Sequence, residues 1–305
     1  MSVAPAIAIP AQKARFSWLP LEIGLFCLLW SFAFIAGKIG VTDCPPLILL
    51  AGRFTLAGVL ILGASAFRRD AWRLDWRGVA TFAVLGVANN ALYLGLGYTG
   101  LKSVSAGLGG LIVSANPIFT AVLAAMFLGE LLTWRKVLGL LLGILGVGFI
   151  VWHRMSVGTD SVEGILFTLA SLASIVAGTI LFKLFAPKGS LWIGNGIQNL
   201  AAGIVLTPIA FTFADLGEIV PSARLVFAFS FLVLGGSILA YFLWFHLLKV
   251  CGATAASAYH FLMPPLGMLF AWLVLGEHVA FRDLLGIVPV AVGIYLVTRP
   301  AVAPR

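Results

Sequence analysis

The chain has 305 residues, of which 61% are hydrophobic and only 10% charged, at a mean hydropathy of +1.10. A water-soluble domain carries about 25% charge, so a soluble fold is excluded. The formal net charge of +8 does not point to nucleic acid, because the bases sit in short clusters between apolar runs and form no continuous stripe.

Residues 1–17 begin Ala- and Pro-rich and place Lys13 and Arg15 after the apolar stretch. A cleaved signal has the opposite order, so a short disordered tail is expected. Ten apolar runs follow, at 18–39, 45–66, 77–98, 103–128, 134–153, 162–184, 190–211, 223–246, 253–275 and 282–299, with a second short tail at 300–305. Each approaches the roughly 20 residues that a helix needs to cross a bilayer core of about 30 Å. The expected fold is therefore an all-α polytopic membrane protein with the lipid bilayer as its solvent.

The first run carries Trp30 and Ser31 at its middle and Lys38 at its end. The second opens on Pro45-Pro46 and holds Arg53 roughly eight residues in, about 12 Å along the helix. Arg53 could attract a carboxylate, snorkel to the interface, or clamp a loop carbonyl. The third run has Asn89, Asn90 and Tyr93 at depth, and the fourth has Ser114, Asn116 and Pro117. Ser171, Ser174 and Thr179 stripe the sixth, while Tyr241, Trp244 and His246 fall in the second part of the eighth. The ninth holds Tyr259 and His260 just before Pro264.

Polar side chains are costly inside a membrane and mark pathways. The alternative for each Ser or Thr is a bond to its own helix. For each Tyr or Trp it is packing or an interfacial belt. Asn89, Asn90 and His260 need partners at depth and are harder to explain that way. Stacking faces with a few hydrogen-bonding groups suit an amphipathic aromatic small molecule.

Pro117 and Pro264 are expected inside helices, where proline removes a backbone bond and clashes with the preceding turn. The carbonyls of Val113 and His260 would then face protein or a wet cavity. A pair of gating hinges is the functional reading, and a static kink the alternative. The small-residue runs 105–110 and 252–258 precede these prolines and permit close helix approach.

Residues 101–150 and 248–297 are two copies of one segment, 147 positions apart. The offset pairs Lys102 with Lys249, Pro117 with Pro264, and Leu128-Gly129-Glu130 with Leu275-Gly276-Glu277. An offset of 145 pairs Lys38 with Lys183 and Ala57-Gly58 with Ala202-Gly203, and sets Arg53 opposite Gln198. That neutral partner favours a structural role for Arg53. The change of offset requires a small insertion near the third and eighth runs. Two five-run halves, 18–154 and 155–299, then enter the membrane in opposite senses, because five is odd. With both termini cytoplasmic, 13 of the 19 bases lie inside and five outside, with Arg53 within a span. A duplicated, inverted membrane half is the mark of a carrier.

Glu130 and Glu277 stand just before helices and are expected to lock tight turns. No Asp or Glu lies at mid-membrane depth, so facilitated diffusion is expected rather than proton coupling through a carboxylate. His246 and His260 remain possible proton relays. No His-Glu-x-x-His, Gly-x-Ser-x-Gly or phosphate-loop motif is present, so neither a hydrolase nor an ATP-driven machine is expected. The three cysteines suggest neither a disulfide framework nor a metal site, and no cofactor is expected. A channel would differ from a carrier in showing no saturation.

The Trp30-to-Lys38 stretch, the Pro45-Pro46 to Arg53 entry, Asn116-Pro117 and the paired Gly-Glu turns together resemble the drug/metabolite transporter superfamily, in its ten-span EamA branch. Within it the chain looks most like bacterial aromatic amino-acid exporters of the YddG type. The resemblance covers about residues 20–299. It implies inner-membrane export, a cavity lined by spans one, three, four, six, eight and nine, gating by spans four and nine, and no obligate protein partner. Relatives that export other amino acids, drugs or nucleobases share the scaffold.

Overall fold

A computed structural model describes residues 18–66, 74–156, 160–185, 189–276 and 281–298. The expected tails at 1–17 and 300–305, and Glu277, lie outside them. The described residues form eleven helices and no strand. These are α1 (Leu19–Asp43), α2 (Pro46–Ala66), α3 (Trp76–Leu101), α4 (Ala106–Val113), α5 (Asn116–Leu128), α6 (Trp134–Ser156), α7 (Val162–Phe185), α8 (Leu191–Phe213), α9 (Ala223–Cys251), α10 (Ala253–Leu275) and α11 (Phe281–Thr298). Seven of them, α1, α2, α3, α7, α8, α9 and α10, are long and apolar enough to cross a membrane. Leu21, Val59, Ile204, Phe211 and Trp272 stand exposed on the outer faces, as a bilayer solvent permits.

Local chemistry sets the helix ends. The Asp75 carboxylate accepts from the amide of Gly78 at 2.9 Å and starts α3. Ser190 and Ser222 start α8 and α9 in the same way. Gly129 and Gly276 close α5 and α10 at φ +68° and +66°. That left-handed backbone is the reason each Leu-Gly-Glu turn has glycine at its centre.

Two departures from regular helix matter for function. Wide π turns occupy Val87–Leu92 in α3 and Leu232–Ala240 in α9. Such turns hold extra residues and cluster at functional sites. They fall in the third and eighth apolar runs, where the repeat's offset changes.

The fourth run is also not a single helix. It breaks at Ser114–Ala115 between α4 and α5, so Pro117 stands in the first turn of α5 rather than in a helix interior. Pro264 likewise follows a tightened 3₁₀ turn, Tyr259–Leu262, in the first turn of Met263–Leu275. There a missing amide removes no helical bond. The carbonyl of His260 accepts the amide of Met263, so the expected loss there is corrected. The chain answers proline by restarting the helix instead of bending it.

The packing brings α2 against α8 and α6 against α11. α1 lies on α9 and α10, while α7 lies on α3, α4 and α5. The small-residue helix α4 meets residues 263–275 of α10, while the small-residue run 253–258 packs on α5. Glycines let the backbones touch. A Cβ on Gly139 of α6 would stand 2.7 Å from the carbonyl oxygen of Gly293 on α11.

Candidate functional site

Trp30 is the centre of an aromatic cluster drawn from α1, α3, α9 and α10. Its ring centroid lies 5.2 Å from Tyr241, 5.4 Å from His260, 5.9 Å from Trp244 and 6.4 Å from Tyr93. His260 sets its edge against Trp244 at 4.8 Å, and Phe26 stacks on Trp244 at 5.7 Å. One side of this cluster opens on a narrow hollow of about 30 Å³, lined by Trp30, Phe34, Arg53, Tyr93, Tyr98, Gly236 and Tyr241 among others. A second, smaller hollow of about 10 Å³ shares Phe34, Tyr93 and Tyr98 and runs on to Val113, Thr168 and Ser171. Aromatic walls with a few hydroxyls and one cation suit a flat amphipathic guest.

The candidates from sequence divide into groups. Trp30, Tyr93 and Tyr241 line the hollow, with Trp244 and His260 packed behind Trp30. The Tyr241 hydroxyl donates to the backbone oxygen of Asn89 at 2.7 Å, tying α9 to the π turn of α3. Ser31, Asn89, Asn90, Asn116 and His260 are fully buried, and each keeps at least one side-chain polar atom without a protein partner. Groups of this kind are costly in a membrane interior.

The others lie elsewhere. Thr179 donates to the carbonyl of Ile175 on its own helix at 2.7 Å, which is the bland alternative for a hydroxyl. Ser114 sits buried at the break between α4 and α5, and Ser174 is half-buried on α7. Tyr259 is half-buried, and its carbonyl accepts from the Cys27 thiol at 3.7 Å. His246 is out of the hollow, 3.4 Å from Glu22 and stacked on Phe242. Two residues beyond Trp244, it stands on the other side of α9, since each residue turns the helix by about 100°.

Sequence reasoning missed Tyr98 and the amides of α8. Asn195, Gln198 and Asn199 are fully buried, and Asn195 donates to the carbonyls of Ser237 and Ile238 in the π turn of α9 at 3.0 and 3.1 Å. Their spacing of three and four residues puts three amides on one helical face, a signal available beforehand.

Side chains at the helix ends hold the bundle. Lys38 donates to the carbonyls of Leu101 and Val104 at 2.7 and 2.8 Å, and Lys183 to that of Leu248 at 3.4 Å. Neither side chain extends freely to the interface. Each cation caps carbonyls at a helix C-terminus, the negative end of its dipole. Glu130 accepts from the amide of Ala253 at 3.2 Å and from the hydroxyl of Thr254. The lock it makes is therefore on the first turn of α10, not on the helix that follows it in sequence. Glu130→Ala is expected to lower stability by about 1 kcal/mol, the usual worth of a helix cap, seen as a lower melting temperature in detergent. An unchanged melting temperature would dismiss the lock.

At the far end of α1, Asp43 accepts from Arg224 Nε at 2.6 Å and from Ser222, and its carbonyl accepts from the amide of Val220 at 2.8 Å. This clasp closes α1 on the start of α9. Cys44 beside it is 7% exposed and provides a reporter. Asp43→Asn is expected to speed the labelling of Cys44 by a polar thiol reagent several-fold. Equal rates in the two proteins would show that the clasp restrains nothing.

Comparison with known proteins now bears on this site. The description "EamA-like transporter family" matches residues 21–152 and again residues 162–299. The chain belongs to the EamA-like transporter family. It is a multi-pass membrane transporter of that family, with one family match in each half. An uncharacterized transporter of Bacillus subtilis, YoaV, is 24% identical over 276 residues, covering 89% of this chain and 93% of that one. A Chlamydia muridarum protein named as an S-adenosylmethionine/S-adenosylhomocysteine transporter is 29% identical over 275 residues, covering 85% of each. A solved crystal structure shares the EamA-like fold at a TM-score of 0.73 and 20% identity, covering 91% of this chain and 95% of that one.

Proposed function

We propose that this protein is an inner-membrane carrier that exports small amphipathic metabolites, aromatic amino acids first among them, by alternating access and down their gradient. The observation that carries the reading is the hollow walled by Trp30, Tyr93, Tyr98 and Tyr241. Rings on several sides bury a flat apolar side chain, and the hydroxyls and nearby amides serve its polar end. Spans of the first half and of the second both reach it, as a rocking mechanism requires.

The carrier crosses the membrane ten times, as two inverted five-helix halves at 18–154 and 155–299, with both termini cytoplasmic. The two family matches support the duplication. The packing supports it too, since α2 pairs with its counterpart α8 and α6 with its counterpart α11. The bonds of Lys38 to Leu101 and Lys183 to Leu248 join residues that the repeat relates. The restarts at Pro117 and Pro264 are the gating hinges, because a helix broken into two rods pivots at the joint more readily than one continuous rod.

The test is reconstitution into liposomes with labelled Trp, Phe and Thr. Saturable uptake of Trp and Phe with little of Thr is expected. Thr uptake with indifference to Phe rejects the aromatic assignment and leaves the carrier intact. A second reading, S-adenosylmethionine as cargo, is favoured by the Chlamydia relative, and the same assay with that compound decides it. Its adenine would stack in the same ring of aromatics, and its sulfonium suits their faces.

Facilitated diffusion predicts that an imposed pH gradient leaves uptake unchanged. A histidine-linked exporter would respond, and would lose that response in His260→Ala. A pH response that His260→Ala abolishes would replace diffusion by proton exchange.

A further inference from the structure

We infer that Arg53 is the anchor for the carboxylate of the cargo, and so sets both its chemical class and its orientation in the hollow. The inference rests on the carrier reading and names the group the site recognises. Arg53 sits about 10 Å along α2 from Pro46 and is only 2% exposed. Its Nε donates to the Ser237 hydroxyl at 2.8 Å and its Nη1 to the Tyr98 hydroxyl at 3.0 Å. The guanidinium carbon lies 5.3 Å from the ring centre of Phe54 and 5.9 Å from that of Tyr98. Among the described residues no carboxylate pairs with it.

A buried cation held only by neutral groups is expensive, and proteins seldom keep one without use for it. Here the charge lines the hollow beside Trp30, Tyr93 and Tyr241. The missing side chain of Gly236 lets the Nη2 edge lie close against α9, because a Cβ there would come within 2.7 Å of Nη2. A guanidinium presents paired donors that match a carboxylate, and the bond is charge-assisted. An α-amino acid with an apolar side chain satisfies the whole arrangement, with its carboxylate on Arg53 and its side chain between the rings. Gln198, the counterpart of Arg53 in the second half, is neutral, so the hollow has one charged pole and the cargo one preferred direction.

The test compares ligands that differ only at the carboxylate. Purified protein is titrated with phenylalanine, with 3-phenylpropionate, which lacks the amine, and with phenethylamine, which lacks the carboxylate. Phenylalanine and 3-phenylpropionate are expected to bind at least about tenfold more tightly than phenethylamine. Arg53→Gln brings that ratio near one, and Arg53→Lys restores part of it. Gly236→Ala crowds the guanidinium without removing it and is expected to reduce the ratio, which keeps the inference testable if Arg53→Gln does not fold. Wild type that binds phenylalanine and phenethylamine alike overturns Arg53's role and leaves the aromatic assignment standing. Wild type that ignores phenylalanine but prefers S-adenosylmethionine over its decarboxylated form overturns the assignment and leaves Arg53 standing.

Discussion

Trp30→Ala is expected to abolish measurable uptake while leaving a folded but weakened protein. The indole is 5% exposed and touches five other rings, those of Phe26, Tyr93, Tyr241, Trp244 and His260. Truncating a buried aromatic of this size costs about 3–5 kcal/mol through lost transfer energy and the cavity left behind. It also removes the largest ring that α1 contributes to the hollow, so Tyr93 and Tyr241 lose the surface they pack against. Trp30→Phe keeps most of the stacking area and is expected to retain uptake with a raised KM. Liposome uptake normalised to monodisperse protein, with melting temperature measured in parallel, separates the two effects. Wild-type KM in Trp30→Ala would place the cargo elsewhere.

The second large effect concerns the contact of α2 with α8. A Cβ on Gly58 would stand 2.7 Å from the backbone nitrogen of Leu200, and one on Gly203 2.8 Å from that of Thr55. Both obstacles include backbone, which cannot rotate away as a side chain can, and a Cβ on Gly203 would also meet the Thr55 hydroxyl. Gly58→Val and Gly203→Val must therefore push the helices apart, at a cost of about 1–3 kcal/mol or more each. Low yield and a clearly lower melting temperature in detergent are expected. Gly24→Ala and Gly63→Ala are the controls, because a Cβ at either position meets nothing within 4 Å. Those two are expected to be neutral or slightly stabilising, since alanine favours helix by about 0.5–1 kcal/mol over glycine. Equal behaviour of the two pairs would mean that α2 and α8 do not rely on close contact.

Both effects depend on pairs of residues far apart in the chain, and this marks the limit of sequence reading. Hydropathy is a local property with a length scale set by the bilayer, so the apolar runs were legible, and the helices start and stop within a few residues of them. The left-handed glycines of the Leu-Gly-Glu turns were legible too, because only glycine accepts that backbone without strain. The broken fourth run was not. Proline announces a disturbance, but whether the helix bends or restarts depends on which carbonyls find partners across the bundle.

The site divides in the same way. Trp30, Asn89 and His260 could be singled out because any ring or amide at depth is conspicuous. Arg53 was just as conspicuous, but its neighbours decide its role. Ser237, Tyr98 and Gly236 lie 184, 45 and 183 positions from it. His246 has the composition of a site residue and faces Glu22 instead, because two residues beyond Trp244 turn the side chain about 200° around α9.

The amino-acid sequence by itself determined that the chain is a helical membrane protein, since the length and hydropathy of each run are written in consecutive residues. Only the tertiary structure decided which polar groups face one another. That choice follows from helices crossing at close range, where a side chain's partner is set by packing between distant segments and not by its neighbours in the chain.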